Sequence, residues 1–395
     1  MRLRNWSLGV LAEDWRNAGF GLYIHWPFCA AKCPYCDFNS HVAQEIDQDR
    51  WKRAYLSEID RHARSLNGRV LNSIFFGGGT PSLMHPDVVA AILERVRKAW
   101  PVANDLEVTL EANPGSVDAG RFAAYAAAGV LRLSLGVQAL NDRDLGRLGR
   151  IHSVADAMQA FDIARYYFNR VSFDLIYARQ DQSPAAWRSE LRQALAMAID
   201  HISLYQLAIE PGTAFGDRLS KGGLKGLPNE ARSGDMYEIT QELCEAAGFI
   251  SYEVSNHAKP GAESRHNLIY WRYGDYAGIG PGAHGRLTFG GVRHATETWP
   301  QPDRWLDKSL KGSGDRHVYP LSGQDQADEY VMMGLRVTEG IDRRRYVAMA
   351  GRDLCSDTLD HLEDIGMILQ ENSRIRATEN GRLVLNSVIK ALLSE

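Results

Sequence analysis

Through the first half of this chain, short apolar segments rich in β-branched residues alternate with longer amphipathic stretches, and that alternation limits the folds open to it. Strand-like segments fall at 21–25, 73–76, 106–111, 132–136, 171–176 and 201–207, with helix-like segments between them at 49–65, 86–100, 117–128, 153–167 and 184–198. Such a pattern argues for βα units and a parallel sheet. Six units in succession predict an α/β barrel-like sheet, whose ligands gather at the C-terminal ends of the strands. The glycine and polar signals of this sequence fall at those ends.

The first strand-like segment runs into a loop carrying Cys29, Cys33 and Cys36, a C-x3-C-x2-C spacing. Three thiolates this close can converge on one soft metal centre. A tetrahedral zinc site would need a fourth ligand, for which His25 and His41 are nearby candidates. A disulfide would leave one cysteine of the three unpaired, and a reducing compartment disfavours it. A [4Fe–4S] cluster held by three cysteines would keep one iron open to a small molecule. The remaining two of the five cysteines, Cys244 and Cys355, sit in helix-like segments and read as ordinary half-buried thiols.

Gly77-Gly78-Gly79-Thr80-Pro81 follows the second strand. Consecutive glycines there let backbone approach a ligand closely, or simply make a tight turn. Glu111 ends the third strand, Gln138 the fourth, and Asp174 lies inside the fifth. A carboxylate within an apolar strand is costly unless paired. A structural salt bridge to Arg150 would satisfy that need; a ligand bound by Glu111, Gln138, Arg150 and Asp174 would do so equally. His266, in His266-Asn267-Leu268-Ile269-Tyr270-Trp271, is read two ways. A histidine beside aromatics is commonly a hydrogen-bonded structural residue, but imidazole also ligates heme iron, and Tyr270 and Trp271 offer flat apolar surface.

The whole chain organises as an N-terminal extension (1–20), the barrel (21–215), an extension carrying the His266 segment (216–323) and a small C-terminal module (324–395). Residues 215–230 read as an exposed Gly/Lys-rich loop, followed by a helix at 231–247 and a strand at 250–254. In the last module, helices are expected at 325–335, 343–350, 356–365 and 387–393. A hairpin is expected to turn at Glu379-Asn380-Gly381, which makes the module α+β and winged-helix-like. The 395 residues are 45% hydrophobic, ample for a core, and the net charge of −4 gives no electrostatic footprint for nucleic acid. The apolar patch at 8–12 is too short and too acidic in its flank for a secretory signal, and no run of 18 apolar residues exists, so a cytoplasmic protein is expected.

The cysteine loop followed by GGGTP resembles the radical S-adenosylmethionine (SAM) superfamily. With Tyr23-Ile24-His25-Trp26-Pro27-Phe28-Cys29, Glu111-Ala112-Asn113-Pro114 and Gly136-Val137-Gln138, the chain closely resembles the oxygen-independent coproporphyrinogen III oxidase family along nearly its whole length. The resemblance implies a partial (β/α)6 barrel with a [4Fe–4S] cluster on Cys29, Cys33 and Cys36. It also implies SAM contacts at Tyr23, Tyr35, Gly78, Gly79, Thr80, Glu111, Gln138, Arg150, Asp174, Ala208 and Ala283. Three departures matter. The decarboxylating oxidases carry a further cysteine where this chain has Phe38. They also have a longer N-terminal arm. Relatives place a Gly-Leu-Pro turn where this chain has Ala178-Arg179-Gln180-Asp181-Gln182-Ser183, which leaves that loop's shape open. Phe38 and the H-N-x-x-Y-W string point to the family's heme-chaperone branch. That branch implies heme as cargo, a respiratory, membrane-associated hemoprotein as recipient, and a flavodoxin- or ferredoxin-type electron donor. Oxidative decarboxylation of coproporphyrinogen III is the enzymatic alternative, and a radical SAM enzyme of unrelated substrate a third.

Overall fold

The computed structural model describes residues 13–43 and 45–394; the apolar patch at 8–12 lies outside them. The six expected strands are present as β1 (Phe20–Trp26), β2 (Leu71–Gly78), β3 (Val102–Ala112), β4 (Arg132–Gln138), β5 (Arg170–Tyr177) and β6 (His201–Gln206), each hydrogen-bonded in parallel to the next. The intervening helices are α1 (Gln48–Ser65), α2 (Pro86–Ala99), α3 (Ala119–Ala128), α4 (Val154–Tyr167) and α5 (Pro184–Met197). Each starts on a side-chain cap. The Asp47 carboxylate accepts from the Arg50 N–H at 2.9 Å, and Ser153 and Asp156 form a reciprocal capping box.

The sheet continues beyond these six strands at both ends. After β7 (Ile250–Ser251) and β8 (Asn256–Ala258), which extend β6 antiparallel, the chain returns to the far side of β1. There β9 (Asp275–Ile279) adds a seventh parallel strand, and β10 (His284–Phe289), β11 (Val292–Thr298) and β12 (Asp315–Pro320) follow it antiparallel. The order β12-β11-β10-β9-β1-β2-β3-β4-β5-β6-β8-β7 makes one open twelve-stranded sheet. Residues at the C-terminal ends of β1 through β6 nevertheless line a single cavity, so the parallel part is curved into a partial barrel.

Several local expectations are corrected. Residues 214–220 are helical rather than loop: the Thr213 hydroxyl caps the turn and Phe215 is buried against Tyr35. Cys244, on the helix Glu230–Ala246, is fully buried. The loop at 178–183 closes on a buried polar knot. Ala178 and Asp181 take positive φ, while Arg179 donates to the Ile176 carbonyl and pairs with Glu190 and Asp144.

In the C-terminal module the order is helix Gly323–Gly334, strand Ile341–Asp342, helices Arg343–Ala350 and Ser356–Asp364, then the hairpin Ile368–Glu371 and Arg374–Ala377. This is winged-helix-like, but the hairpin turns at Asn372-Ser373, with Asn372 at φ 56°. The Asn-Gly pair at 380–381 sits instead in the helix Glu379–Leu383, because the Thr378 hydroxyl accepts from the Gly381 N–H at 2.9 Å and starts a helix there. The module has its own core around Tyr330, Val331, Leu359 and Ile389.

A buried charge network fastens module to barrel. The Arg345 guanidinium donates to both oxygens of Asp14 at 2.7 Å, and Arg293, 3.6 Å from Asp14, also reaches Asp275 at 3.1 Å. Asp275 accepts from Arg69 at 2.6 Å and is wholly buried. Removing one member of such a network leaves the others buried without compensation. Asp275→Ala should therefore cost about 3–5 kcal/mol, read as a lowered urea midpoint. The same change at Asp105, whose pair with Arg265 is exposed, should leave the midpoint where it is.

Candidate functional site

Two adjoining cavities open at the C-terminal ends of the strands. The first, about 350 Å³, is bordered by all three loop cysteines and by Tyr35, Gly78, Gly79, Thr80, Glu111, Gln138, Arg150, Asp174 and Ala208. The cysteine loop is held from below by rings: Phe28 packs edge-on against Trp26 and Trp51 at centroid distances of 5.2 and 5.1 Å, and Trp51 stacks on Trp305 at 5.4 Å. From the side, the Gly79 and Thr80 amides donate to the Trp26 and Phe28 carbonyls at 2.7 and 2.8 Å. A Cβ on Gly79 would lie 2.8 Å from the Phe28 oxygen and 3.0 Å from Cys29 Sγ, so only glycine fits.

Each sulfur has a polar neighbour. Thr80 donates toward Cys29 Sγ at 3.4 Å, Arg150 donates to Cys33 Sγ at 3.4 Å, and Ser40 Oγ lies 3.9 Å from Cys36 Sγ. Hydrogen bonds to sulfur are a means of tuning iron–sulfur potentials. Tetrahedral zinc would need a fourth ligand beside the three sulfurs, and His41 Nε2 is engaged by Asn39 Oδ1 at 3.1 Å. His25 is also taken: Nδ1 meets the Tyr23 hydroxyl at 3.0 Å and Nε2 the Asn39 carbonyl at 2.9 Å. The donor set thus fits an iron–sulfur cluster better than a zinc ion. Burial raises the Cys29 and Cys36 thiols, so metal loading would release protons.

Glu111 and Asp174 line the same cavity as the sulfurs. Arg150 forms an ion pair with neither; it serves the Gly136 carbonyl at 2.9 Å and Cys33. The structural salt-bridge reading therefore falls. Burial, reinforced by the Asp174 charge, raises Glu111 to about 8, against the opposing hydrogen bond from the Gly78 amide. Burial also raises Asp174 to about 6, opposed by Ser203, Arg132 and Ser134. Gln138 closes β4 at φ 74°, a strained value for a non-glycine residue, where the β4–β5 register shifts. Two half-buried carboxyls with perturbed pKa and a strained strand end mark a ligand site.

The second cavity, about 330 Å³, shares Phe38, Gly78 and Glu111 with the first. Tyr23 and Ala283 border it, together with Tyr270, Tyr276 and His284. His266 borders neither. It is buried, its Nδ1 meets Ser73 Oγ at 2.8 Å, its Nε2 meets the Tyr270 hydroxyl at 2.6 Å, and burial lowers its pKa to about 3. Sequence reasoning missed Tyr205 on the rim, Ser134 and Ser203, which donate to Asp174, and Ser172, which donates to Ser134. Ser134, Ser172 and Ser203 interrupt three adjacent apolar strands, and that shared interruption was the available signal.

Residues 23–186 match the radical SAM superfamily model and residues 321–384 the HemN C-terminal domain. The chain is 39% identical to the heme chaperone HemW of Escherichia coli, covering 95% of this chain and 98% of that protein. The chain belongs to the HemW family of radical SAM proteins. It is also 40% identical to radical S-adenosyl methionine domain-containing protein 1, mitochondrial, of Bos taurus, over 94% of this chain and 87% of that one. Among solved structures, coproporphyrinogen III oxidase (HemN) from Escherichia coli shares the fold, with a TM-score of 0.80 over 98% of this chain and 92% of that one at 20% identity. Membership implies a [4Fe–4S] cluster and SAM. Such a cluster supplies an electron and an open iron site for its ligand.

Three outcomes are expected. Anaerobically reconstituted protein should hold about four irons and four sulfides; Cys29→Ala, Cys33→Ala or Cys36→Ala should abolish the loading, and Cys244→Ala and Cys355→Ala should not. Asp174→Ala should weaken SAM binding by about 2–5 kcal/mol with the cluster intact, whereas Arg150→Ala should also shift the cluster's reduction potential. SAM carries a sulfonium cation, which favours ionised Glu111. With Glu111 raised to about 8, SAM binding should release a proton and tighten as pH rises from 6 to 8. Calorimetry in buffers of differing ionisation enthalpy should show the release in the parent and less of it in Glu111→Gln.

Proposed function

We propose that this protein is a heme chaperone: it binds heme beside a [4Fe–4S] cluster and SAM, and passes it to a recipient hemoprotein. The observation that carries the reading is the second cavity, walled by Tyr23, Tyr270 and Tyr276 and opening directly onto the cysteine-lined one. Flat aromatic walls suit a porphyrin plate. Tyr270 and His266 belong to the H-N-x-x-Y-W string, so that motif builds the wall. The relatives named heme chaperone HemW support the same reading. Cysteines 29, 33 and 36 would hold the cluster, and Glu111, Gln138, Arg150 and Asp174 would orient SAM. The recipient is a respiratory hemoprotein at the membrane, and a flavodoxin- or ferredoxin-type protein supplies the electron in the cytoplasm. Among the described residues no helix is long and apolar enough to cross a membrane.

The alternative is oxidative decarboxylation of coproporphyrinogen III. Phe38 disfavours it, since the side chain at that position is an exposed ring rather than a thiol. The test is direct. Anaerobically prepared protein should bind about one hemin per chain and leave coproporphyrinogen III unchanged in the presence of SAM and reductant. Multiple turnovers to the decarboxylated porphyrinogen would restore the enzymatic reading.

A further inference from the structure

We propose that His284, rather than His266, supplies the axial nitrogen to heme iron, with His266 acting through Tyr270 as a positioning residue. The inference rests on the heme reading above. Iron coordination needs an imidazole nitrogen whose lone pair faces open space. Three histidines lie in or behind the second cavity, and two are already committed. His25 is held at both nitrogens, by Tyr23 and by the Asn39 carbonyl. His266 is held at both as well, by Ser73 and Tyr270, and its ring packs beside those of Phe75 and Tyr23 at centroid distances of 5.0 and 6.3 Å. Its backbone N–H is tied to Glu107 at 3.2 Å. Freeing a nitrogen of His266 would break a buried hydrogen bond and still leave a tyrosine between the ring and the cavity.

His284 differs on each count. It opens β10, borders the cavity and is exposed. Among the described residues its imidazole has no hydrogen-bond or ion-pair partner. The cavity's tyrosines are poor substitutes as ligands, because burial raises the phenols of Tyr23, Tyr270 and Tyr276. A second, independent observation concerns the path of the plate. At about 330 Å³ the cavity is at the small end of the range for cofactor-sized ligands, about 300–1,000 Å³. Phe38, 58% exposed, borders both spaces, so a plate too large for the second cavity alone would have that ring to pack on. An exposed aromatic ring at a junction of cavities is explained by a ligand that covers it. Tyr270 packs edge-on against Tyr276 at 4.3 Å, and the His266 hydrogen bond fixes the rotation of its hydroxyl.

The experiment is a hemin titration of cluster-loaded protein, followed by the Soret band, with SAM binding as the control for folding. In the parent an imidazole-ligated spectrum is expected. In His284→Ala that signature should vanish and affinity should fall at least about tenfold, the lower edge of what outer-shell changes alone cost at metal sites. Added imidazole should restore the parent spectrum in His284→Ala. Tyr270→Phe and His266→Gln should keep the signature. His266→Ala should keep it too, with faster hemin loss, which His266→Gln should repair because its amide can still meet the Tyr270 hydroxyl. An unchanged spectrum in His284→Ala overturns the assignment. So does loss of the signature in His266→Gln with SAM binding intact. A parent that takes up no hemin defeats the heme reading itself, a result distinct from either.

Discussion

The interlock between the glycine turn after β2 and the chain leaving β1 sets the geometry on which the site depends. Two amide-to-carbonyl hydrogen bonds, from Gly79 to Trp26 and from Thr80 to Phe28, splice the turn to the start of the cysteine loop. Gly78, at φ 111°, passes so near the His25 ring that a Cβ would lie 2.6 Å from it. Backbone without side chains is what allows this approach. Because Thr80 is placed by the splice, its hydroxyl reaches Cys29; because Gly78 is placed, its amide reaches Glu111. One side of the turn thus addresses the metal-binding sulfurs and the other the carboxyls, and the aromatic stack under Phe28 keeps the whole from sliding.

Around that splice the protein keeps features that cost stability. Glu111 and Asp174 are carboxyls in a site that resists their ionisation, Gln138 sits in a sparsely populated backbone region, and the Arg150 Nε is buried without a partner. Strain and desolvated charge of this kind persist where the surrounding fold over-determines them, and they cluster where a ligand relieves them. The surrounding fold here is a curved run of parallel strands whose apolar faces are covered by helices, so the expense is confined to the strand ends.

Much of this was legible along the chain because it is local. Strands β1 to β6 announce themselves as apolar runs, and the cysteine spacing and triple glycine are contiguous strings. What escaped depends on partners far away in sequence. Residues 216–323 read only as an extension carrying the His266 segment, and the role of 275–298 within it as strands β9 to β11 is decided by pairing with β1 and with each other. The Asn-Gly pair at 380–381 looked like a turn, but a capping threonine beside it won the competition. His266 carried the right chemistry for a ligand, yet burial and two hydrogen bonds decide its part, and neither can be read from neighbours in the chain. At 178–183 the missing Gly-Leu-Pro is replaced by the Arg179 knot, whose members come from three separate segments.

The pairing of β1 with β9, Phe20 opposite Asp275, has a consequence for biosynthesis. As the ribosome extends the chain, β2 arrives early and covers one edge of β1, but the other edge stays bare until more than half the protein has been made. The loop that gathers the cysteines therefore hangs from a half-paired strand during most of translation. Asp14, just ahead of β1, waits longer still for Arg345. Long-range parallel pairing of this kind is slow to form and leaves apolar edges open to wrong partners meanwhile. Completion of the C-terminal module is thus the event that locks the first strand, and with it the metal-binding loop, into place.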